Sequence, residues 1–556
     1  MGAVYAGLIV SREYCMMTPK QVFIREATGL VREWSTIDAF YYNILTCGIF
    51  TYASVWLFLT TPYAFPGGSI PLAVLVTGVF NSLMAVAFVM LAVSMPRTGG
   101  EYVFQSRVIH PAIGFSVVFA AWVVWQMNWL AWNFYAVVWL VAYPLTSTLG
   151  AVTGNTAFLD FAAWSGTVTG TTIVGGLYVT IVFMTMVTGM KGYARVQRVA
   201  FWLAILSIGI SIVVGAMTPT RSFEAAFNEF MLKFQTDPNF YSTIISTAVS
   251  AGYNVHPEFS LFSTLGIVPI LYMTFVWFYW STYNLGEIKK ADSVKNQVIS
   301  LIGAELILML LFVFLSASFI SMIGTDFMYA LAYHWNEGTD IIAVFPTDPS
   351  FTLLTGMVAK SAPLLAVLYI GVLGNFWNYP YNNTMGATRP MLAMAFDRLL
   401  PEKLADVSER FHIPHVAIAV NYVLVWIWYY IITFTPFSAW LTSMMASACL
   451  SIACTLLSAI LLPYRRKDLF GSSPAYKYRL IGIPIITICG IIGFIWNLIM
   501  LYFYLVVPAY GGANPIPLAV NLLILAGCFV YYFAIHSYRK KQGIEIDLAF
   551  KQIPPE

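Results

Sequence analysis

Long apolar stretches dominate this chain and restrict what it can fold into. Twelve stretches are long and apolar enough to cross a bilayer, for which a helix needs about 20 residues. Only 10% of the 556 residues are charged, whereas about a quarter are charged in soluble proteins. The sequence therefore predicts an all-α polytopic membrane protein. The predicted spans, numbered 1 to 12, are residues 39–61, 70–94, 112–143, 166–190, 197–217, 264–285, 298–323, 361–387, 416–436, 438–462, 481–507 and 516–537.

Basic residues are distributed unevenly over the connections between these spans. With both termini on one side, 25 of the 28 Lys and Arg residues fall on that side. Only Arg221, Lys233 and Lys360 fall on the other. Because cytoplasmic connections carry an excess of Lys and Arg, both termini are predicted to be cytoplasmic, in a multi-pass plasma membrane protein. The six scattered cysteines indicate neither a disulfide framework nor a metal site.

The spans divide into two units of five helices and a final pair. Because five is an odd number, the second unit would be inverted in the membrane relative to the first. The short cytoplasmic connections leave no room for a catalytic domain, so the sequence does not predict an enzyme. The predicted organisation is a cytoplasmic tail (1–38), a first repeat (39–217), an extracytoplasmic loop (218–263), a second, inverted repeat (264–463), helices 11 and 12 (464–537) and a cytoplasmic tail (538–556).

Span 1 contains polar and small residues at membrane depth, namely Asn43, Thr46, Cys47 and Gly48. Such residues suit a helix that opens locally, so that its freed backbone N–H and C=O groups face a protein-lined cavity. This pattern predicts a broken helix that binds a small polar solute. A glycine used for helix packing, with satisfied polar neighbours, explains the same residues, and both interpretations stay open at this point.

Spans 8 and 3 each carry polar side chains along one face. Asn375, Asn378 and Asn382 lie at offsets of 0, 3 and 7 in span 8, where they predict a solute pathway or, alternatively, hydrogen bonds between helices. In span 3, Trp129 shares a face with Gln126 and Asn133. That face predicts a pocket wall in which a ring could contact an ammonium group, and packing in the core is the alternative.

Two stretches on the predicted cytoplasmic side indicate a protein family more specifically than hydropathy does. They read PRTGGEY at 96–102 and TRPMLAMAFDRLLP at 388–401, with CGIF at 47–50 and GEIK at 286–289 in support. In order and spacing they resemble the amino acid–polyamine–organocation (APC) permeases over roughly residues 30–465. The resemblance implies a LeuT-type fold, with a 5+5 inverted repeat, two C-terminal helices, and helices 1 and 6 unwound at mid-membrane. In the family, helix 1 offers N–H groups to a substrate carboxylate and helix 6 offers carbonyl groups to the amine.

The chain departs from the family pattern in both helices. Thr46-Cys47-Gly48 stands where the family has Gly-Ser-Gly, and span 6 has an aromatic run at 275–280 with no glycine between Gly266 and Gly286. We expect that run to narrow or reshape the pocket. The predicted substrate-binding residues are Asn43, Thr46, Cys47, Gly48 and Ile49 (span 1), Gln126 and Trp129 (span 3), Trp277, Phe278, Tyr279 and Trp280 (span 6), and Asn375, Asn378 and Asn382 (span 8).

Ionisable residues suggest a coupling group and a gate. Glu305 is a carboxylate well inside a predicted span. It is predicted to be a proton-coupling group, and the alternative is a side chain that reaches the inner interface or pairs with Lys295. Glu101, Glu287, Asp38 and Arg389 lie at the predicted cytoplasmic mouth. Arg389 is predicted to pair with one of these carboxylates as an inner gate, and ion pairs of no consequence are the alternative.

Together these features predict a secondary active transporter of an amino acid or related amine that works by alternating access with H⁺ or Na⁺ coupling. No cofactor, ATP site or nucleic-acid partner is predicted, only a small-molecule substrate and the lipid bilayer. The lack of a mid-membrane carboxylate near the site favours a neutral, zwitterionic amino acid over a dication. The alternative is a non-transporting sensor or subunit of a larger membrane assembly, favoured by the missing glycines. A polar cavity between spans 1, 3, 6 and 8 would distinguish the two.

Overall fold

The structure is a computed structural model that describes residues 29–50, 55–359, 361–435, 444–510 and 514–554. Six parts of the predicted organisation lie outside these ranges: 1–28, 51–54, Lys360, 436–443, 511–513 and 555–556. The described residues are predominantly helical, with a two-stranded hairpin formed by β1 (Arg479–Leu480) and β2 (Ile483–Pro484).

Eleven of the described helices are long and apolar enough to cross a membrane, which confirms an all-α polytopic membrane protein. Their numbers follow the predicted spans. They are α2 (Ile70–Ser94), α3 (Pro111–Thr153), α4 (Val168–Met186), α5 (Gly189–Met217), α6 (Leu261–Glu287), α7 (Val294–Ile323), α8 (Ala362–Phe396), α9 (His415–Phe434), α10 (Met445–Arg465), α11 (Ile485–Val506) and α12 (Pro515–Lys541).

The first span is interrupted where the sequence predicts a break. Its inner part, α1 (Thr36–Thr46), begins at a capping box between Ser35 and Asp38. It ends where Cys47 adopts extended backbone geometry. Helical structure is present again at 56–64. Each piece is too short to cross a bilayer, so the first span is absent from the eleven.

The sixth span does not unwind, contrary to what the resemblance implies. The α-helical part of α6 ends at Phe275, and 3₁₀ structure follows from Val276 to Glu287 with a kink at Asn284, whose backbone is not helical. A 3₁₀ helix keeps its backbone groups paired, with hydrogen bonds three residues apart. Side chains with a Cβ restrict the backbone more than glycine does, so a centre without glycine favours this tighter helix over an open loop.

Several helices extend beyond their apolar windows. The predicted loop at 388–415 begins with helix, since α8 continues through Arg389 to Phe396. The first helix also begins before its predicted span, at Thr36 rather than at residue 39, and Trp34 before it is fully buried. The backbone N–H of Trp34 donates to the carbonyl oxygen of Glu287 at 3.0 Å. We call the end of the bundle that holds residues 29–35 the inner end, and the opposite end the outer end.

One amide side chain of α1 joins this helix to both α6 and α7. Asn43 Nδ2 donates to Ser281 Oγ of α6 at 3.0 Å and to the carbonyl oxygen of Ser300 in α7 at 2.7 Å. Its Oδ1 accepts from the backbone N–H of Ser281 at 2.9 Å. These bonds place the break in α1 beside the centre of α6.

Candidate functional site

A cavity of about 60 Å³ lies where the break in the first span meets α3, α6 and α8. It lies between spans 1, 3, 6 and 8, where the sequence analysis asks for a polar cavity, and its wall is mostly apolar with several amide side chains. Seven of its lining residues belong to the predicted binding set, and no charged side chain is among those that line it. The lining residues are Thr46, Gly48, Gln126, Trp129, Trp132, Asn133, Trp277, Trp280, Tyr379, Asn382 and Asn383.

Asn375 and Asn378 brace the broken helix and do not line the cavity. Asn375 Nδ2 donates to the carbonyl oxygen of Leu45 at 3.2 Å, and Asn378 Nδ2 donates to Thr46 Oγ1 at 3.3 Å. Asn43 is likewise engaged with α6 and α7 rather than with the cavity. For these three amides the structure favours the alternative of hydrogen bonds between helices.

Four other predicted residues, Cys47, Ile49, Phe278 and Tyr279, are buried outside the cavity lining. Tyr279 stacks on Phe88 of α2 with ring centroids 4.1 Å apart, and Phe278 contacts the same ring. Helical spacing explains this division, since residues three apart share a face in a 3₁₀ helix as they do in an α-helix. Trp277 and Trp280 therefore share the cavity face, and the two residues between them point elsewhere.

Three lining residues, Trp132, Tyr379 and Asn383, are missing from the sequence interpretation. Tyr379 lies four residues after Asn375 and three before Asn382, so helical spacing could have added it to the predicted face. Asn383 is adjacent to a predicted residue, and Gln126 Nε2 of α3 donates to its Oδ1 at 2.6 Å. That bond joins two walls of the cavity.

A buried ion pair lies on the inner side of the cavity, seven residues along α8 from Asn382 and seven along α6 from Trp280. Arg389 Nη2 and Nε donate to the two carboxylate oxygens of Glu287 at 2.7 Å and 3.0 Å, and neither side chain is exposed. The structure thus contains a pair between Arg389 and one of the predicted carboxylates, and its role as an inner gate stays a prediction. A bidentate arginine–carboxylate pair is strong and geometrically specific, so it joins α6 to α8 firmly.

Glu101 is not a partner of Arg389 and receives hydrogen bonds from four neutral groups. Tyr283 OH and Ser451 Oγ donate to it at 2.8 Å, Thr455 Oγ1 donates at 3.0 Å, and the Trp122 indole N–H donates as well. It therefore connects α3, α6 and α10. In this conformation Glu101 is a buried hydrogen-bond acceptor, and its predicted gate role stays a prediction.

The remaining predicted gate carboxylate, Asp38, pairs with Arg198 of α5 at 2.8 Å. A second buried pair that the sequence interpretation does not single out joins Arg107 to Asp397 at 2.6 Å and 2.7 Å. The ring of Phe550, near the end of the described chain, covers the Arg107 guanidinium at 4.8 Å from its centroid. The C-terminal segment therefore packs directly on the Arg107–Asp397 pair at the inner end.

Towards the outer end, a second cavity of about 620 Å³ adjoins the first. Trp132 lines both cavities, and Trp56, Trp139 and Trp335 line the outer one. Asp348, in the connection between α7 and α8, also lies on its wall, and burial raises the pKa of this carboxyl above its ordinary value. The central cavity thus has buried ion pairs on its inner side. On its outer side Trp132 separates it from the larger cavity.

Glu305 is fully buried in α7 near the break in the first span. Neither of its carboxylate oxygens has a hydrogen-bond partner within the described chain. Asn81 of α2 and Cys47 are its polar neighbours. The predicted alternative, a carboxylate that reaches the inner interface or pairs with a lysine, does not agree with this burial.

Comparison with protein families agrees with this architecture. Residues 34–530 match the family described as amino acid permease. No curated protein matches the chain. The family match includes the broken first span, the cavity walls and the inner ion pairs. The chain therefore belongs to the amino acid permease family of the APC superfamily, and it is a multi-pass membrane transporter of amino acids or related compounds.

Proposed function

We propose that this protein is a secondary active transporter that moves an amino acid or related amine across the plasma membrane by alternating access, with both termini in the cytoplasm. One observation carries the proposal: on the inner side of the central cavity the buried Arg389–Glu287 pair joins α6 to α8, while a larger cavity adjoins it at the outer end. This asymmetry is what a carrier has when it faces outward. A sensor or assembly subunit, the alternative from the sequence, would need no such arrangement.

In this mechanism the solute passes Trp132 from the outer cavity and binds at the break in the first span. Inward release requires α6 and α8 to separate where Arg389 and Glu287 join them. Once apart, the two charges become hydrated, which offsets part of the cost of breaking the pair. The LeuT-type inverted repeat would supply the two related conformations.

We further propose that transport is coupled to H⁺ through Glu305. A buried carboxylate without a hydrogen-bond partner costs several kcal/mol in its charged form, so this conformation favours the neutral acid. Among the residues facing it from the neighbouring helices, Cys47 is titratable and Asn81 is neutral. Because Cys47 belongs to the break, loss of the proton at Glu305 would charge the region beside the solute.

Uptake by the purified protein in liposomes tests both the transport itself and its coupling to H⁺ through Glu305. We expect an imposed pH gradient to drive accumulation without Na⁺. Glu305→Gln, which is neutral at every pH, should abolish the response to the gradient and preserve exchange of solute. Glu258→Gln, at an exposed outer position, is the matched control. Accumulation that needs Na⁺ and survives Glu305→Gln would replace H⁺ with Na⁺, and binding without any transport would favour the sensor.

A further inference from the structure

We propose that residues 543–554, the segment that follows α12, form a detachable strap that binds a groove at the inner end and slows the opening of that end. The groove, which we call the strap site, is formed by Arg97, Arg107 and Arg466. The inference rests on the proposed function only for its effect on transport, because binding of the strap can be measured without any solute.

The chain reverses its direction where α12 ends. Gly543 follows the helix with a φ of 80°, a conformation that glycine adopts readily. Its backbone N–H donates to the carbonyl oxygen of Lys540 at 3.0 Å, and that of Ile544 donates to the carbonyl oxygen of Arg539 at 3.0 Å. This is the Schellman arrangement that ends many helices. The strap therefore turns back onto the inner end of the bundle.

Apolar side chains of the strap are buried against the bundle. Ile546 and Phe550, at the two ends of its short 3₁₀ helix, are 3% and 6% exposed, and Pro554 is buried as well. The ring of Phe550 lies over the guanidinium group of Arg107, where a cation is attracted to the face of an aromatic ring. Binding of the strap thus has an apolar part and a specific aromatic contact.

Each arginine of the strap site donates a hydrogen bond to a backbone carbonyl of the strap. Hydrogen bonds from a charged donor are stronger than those between neutral groups. The side chains of Lys551 and Gln552 are exposed, so the site binds the backbone of these two residues rather than their side chains. The bonds run from Arg466 Nη2 to Lys551 at 2.9 Å, from Arg107 Nε to Gln552 at 3.4 Å, and from Arg97 Nε to Pro554 at 2.8 Å.

The three arginines belong to different parts of the bundle. Arg97 lies in the loop after α2, and Arg466 directly follows α10. Arg107 lies in the short helix Glu101–Val108 and pairs with Asp397, which directly follows α8. One segment therefore connects the inner ends of α2, α8 and α10 to α12. Such a connection opposes any movement that separates these ends.

The loop that contains Arg97 lies between α6 and α8, the two helices that inward release must separate. The backbone N–H of Gly99 donates to the carbonyl oxygen of Tyr283 in α6 at 3.0 Å. On the other side, a Cβ atom at Gly99 would lie 2.8 Å from the Cβ of Ala393 in α8. Because the strap holds Arg97 through Pro554, it keeps this loop in place between the two helices.

Release of the strap leaves two of these arginines with a carboxylate partner. Arg107 keeps both of its hydrogen bonds to Asp397, at 2.6 Å and 2.7 Å, and Arg466 keeps Asp468 at 2.9 Å. An unpaired buried charge makes the breaking of a contact costly, and neither of these groups becomes unpaired. The strap can therefore detach without unfolding the inner end, which distinguishes it from a fixed part of the fold.

Binding of the strap as a separate peptide tests the strap site directly. A fluorescent peptide of residues 543–556 is added to the full-length protein and to a chain that ends at Gln542. We expect it to bind the shortened chain at least about tenfold more tightly, because in the full-length protein the tethered strap occupies the site at an effective concentration on the order of millimolar. Equal binding to both proteins, or none to the shortened chain, would overturn the inference.

Two changes in the peptide separate specific from general binding. Phe550→Ala removes the ring over Arg107 and should weaken binding about tenfold. Gln552→Ala removes an exposed side chain and keeps the carbonyl group that Arg107 contacts, so it is the matched control and should bind like the parent peptide. Equal affinity of the Phe550→Ala and parent peptides would overturn the assigned mode of binding.

The effect on the inner end is measured as the rate at which a membrane-impermeant maleimide labels Thr384→Cys on α8, a fully buried position. The shortened chain should be labelled about tenfold faster, and the added peptide should restore the slow rate. Arg97→Ala in the full-length chain should also speed labelling. Arg479→Ala, whose hydrogen bonds stay within residues 476–482, is its control.

Thermal unfolding establishes that each variant is folded. Unchanged labelling in the folded shortened chain and in Arg97→Ala would overturn the inference, as would faster labelling that the bound peptide does not reverse. The outcome is separate from that of the proposed function. If the parent protein moves no solute in liposomes, the transport proposal fails, and peptide binding and labelling still decide whether the strap exists.

Discussion

Breaking the inner ion pair from one side should open the inner end of the transporter. Arg389 and Glu287 are both fully buried and form two hydrogen bonds with each other. Removing one partner of such a pair leaves an unpaired buried charge, which costs about 3–5 kcal/mol. Opening hydrates that charge, so Arg389→Gln or Glu287→Gln should shift the equilibrium towards the inner-open form by roughly 10²- to 10⁴-fold. The double variant leaves no unpaired charge, so its equilibrium should return most of the way to that of the parent protein.

The rate at which a membrane-impermeant maleimide modifies Thr384→Cys reports inner opening. Thr384 is fully buried on α8 between the cavity residue Asn382 and Arg389. Labelling should be slow with the pair intact, fast in either single variant, and slow again in the double variant. The chain without the added cysteine gives the background, and thermal unfolding confirms that each variant is folded. Slow labelling in both folded single variants would refute the view that this pair keeps the inner end closed.

Three further predictions concern other parts of the molecule. Glu101→Ala leaves buried donors without their acceptor, at about 1–3 kcal/mol for each, and should lower the melting temperature more than Glu101→Gln, which keeps an acceptor oxygen. Phe550→Ala removes the ring that covers Arg107 and should speed inner labelling, while Phe533→Ala at an exposed position of α12 should not. Burial lowers the pKa of His334 in the outer helix Thr325–Glu337, so the unfolded chain binds this proton more readily. The melting temperature should therefore fall as the pH drops below the ordinary histidine value of about 6.5, and His334→Gln should flatten that fall.

Much of the fold could be predicted because the membrane imposes length and polarity on each helix. The span predicted at 70–94 coincides with α2, where apolar sequence and helix end together. α8 extends further because Arg389 is buried with Glu287. Hydropathy scores each residue alone and so counts an arginine as the end of a span. A buried ion pair between distant segments is invisible to such a scale.

The site was only partly predictable for a related reason. The two tryptophans on the cavity face of α6 were identified, but so were Phe278 and Tyr279, which face α2. Residues three apart share a face in an α-helix and in a 3₁₀ helix, so spacing pairs the two tryptophans, but an aromatic run does not show which of its faces meets the cavity. The missing glycine at the centre of α6 indicated a departure from the family pattern. It did not indicate that the backbone would tighten rather than open.

The amides of α8 show why a broken helix makes sequence interpretation ambiguous. A break frees backbone groups that must find partners inside the membrane, and amide side chains are as suitable for that purpose as for binding a solute. Asn375 and Asn378 reach the last residues of α1, whereas Asn382, one to two turns further along the same face, reaches the cavity. Both uses place asparagines at the same helical spacing, and only the position of the break along the neighbouring helix separates them. It follows that substituting the first two should lower stability more than affinity, and substituting Asn382 should do the reverse.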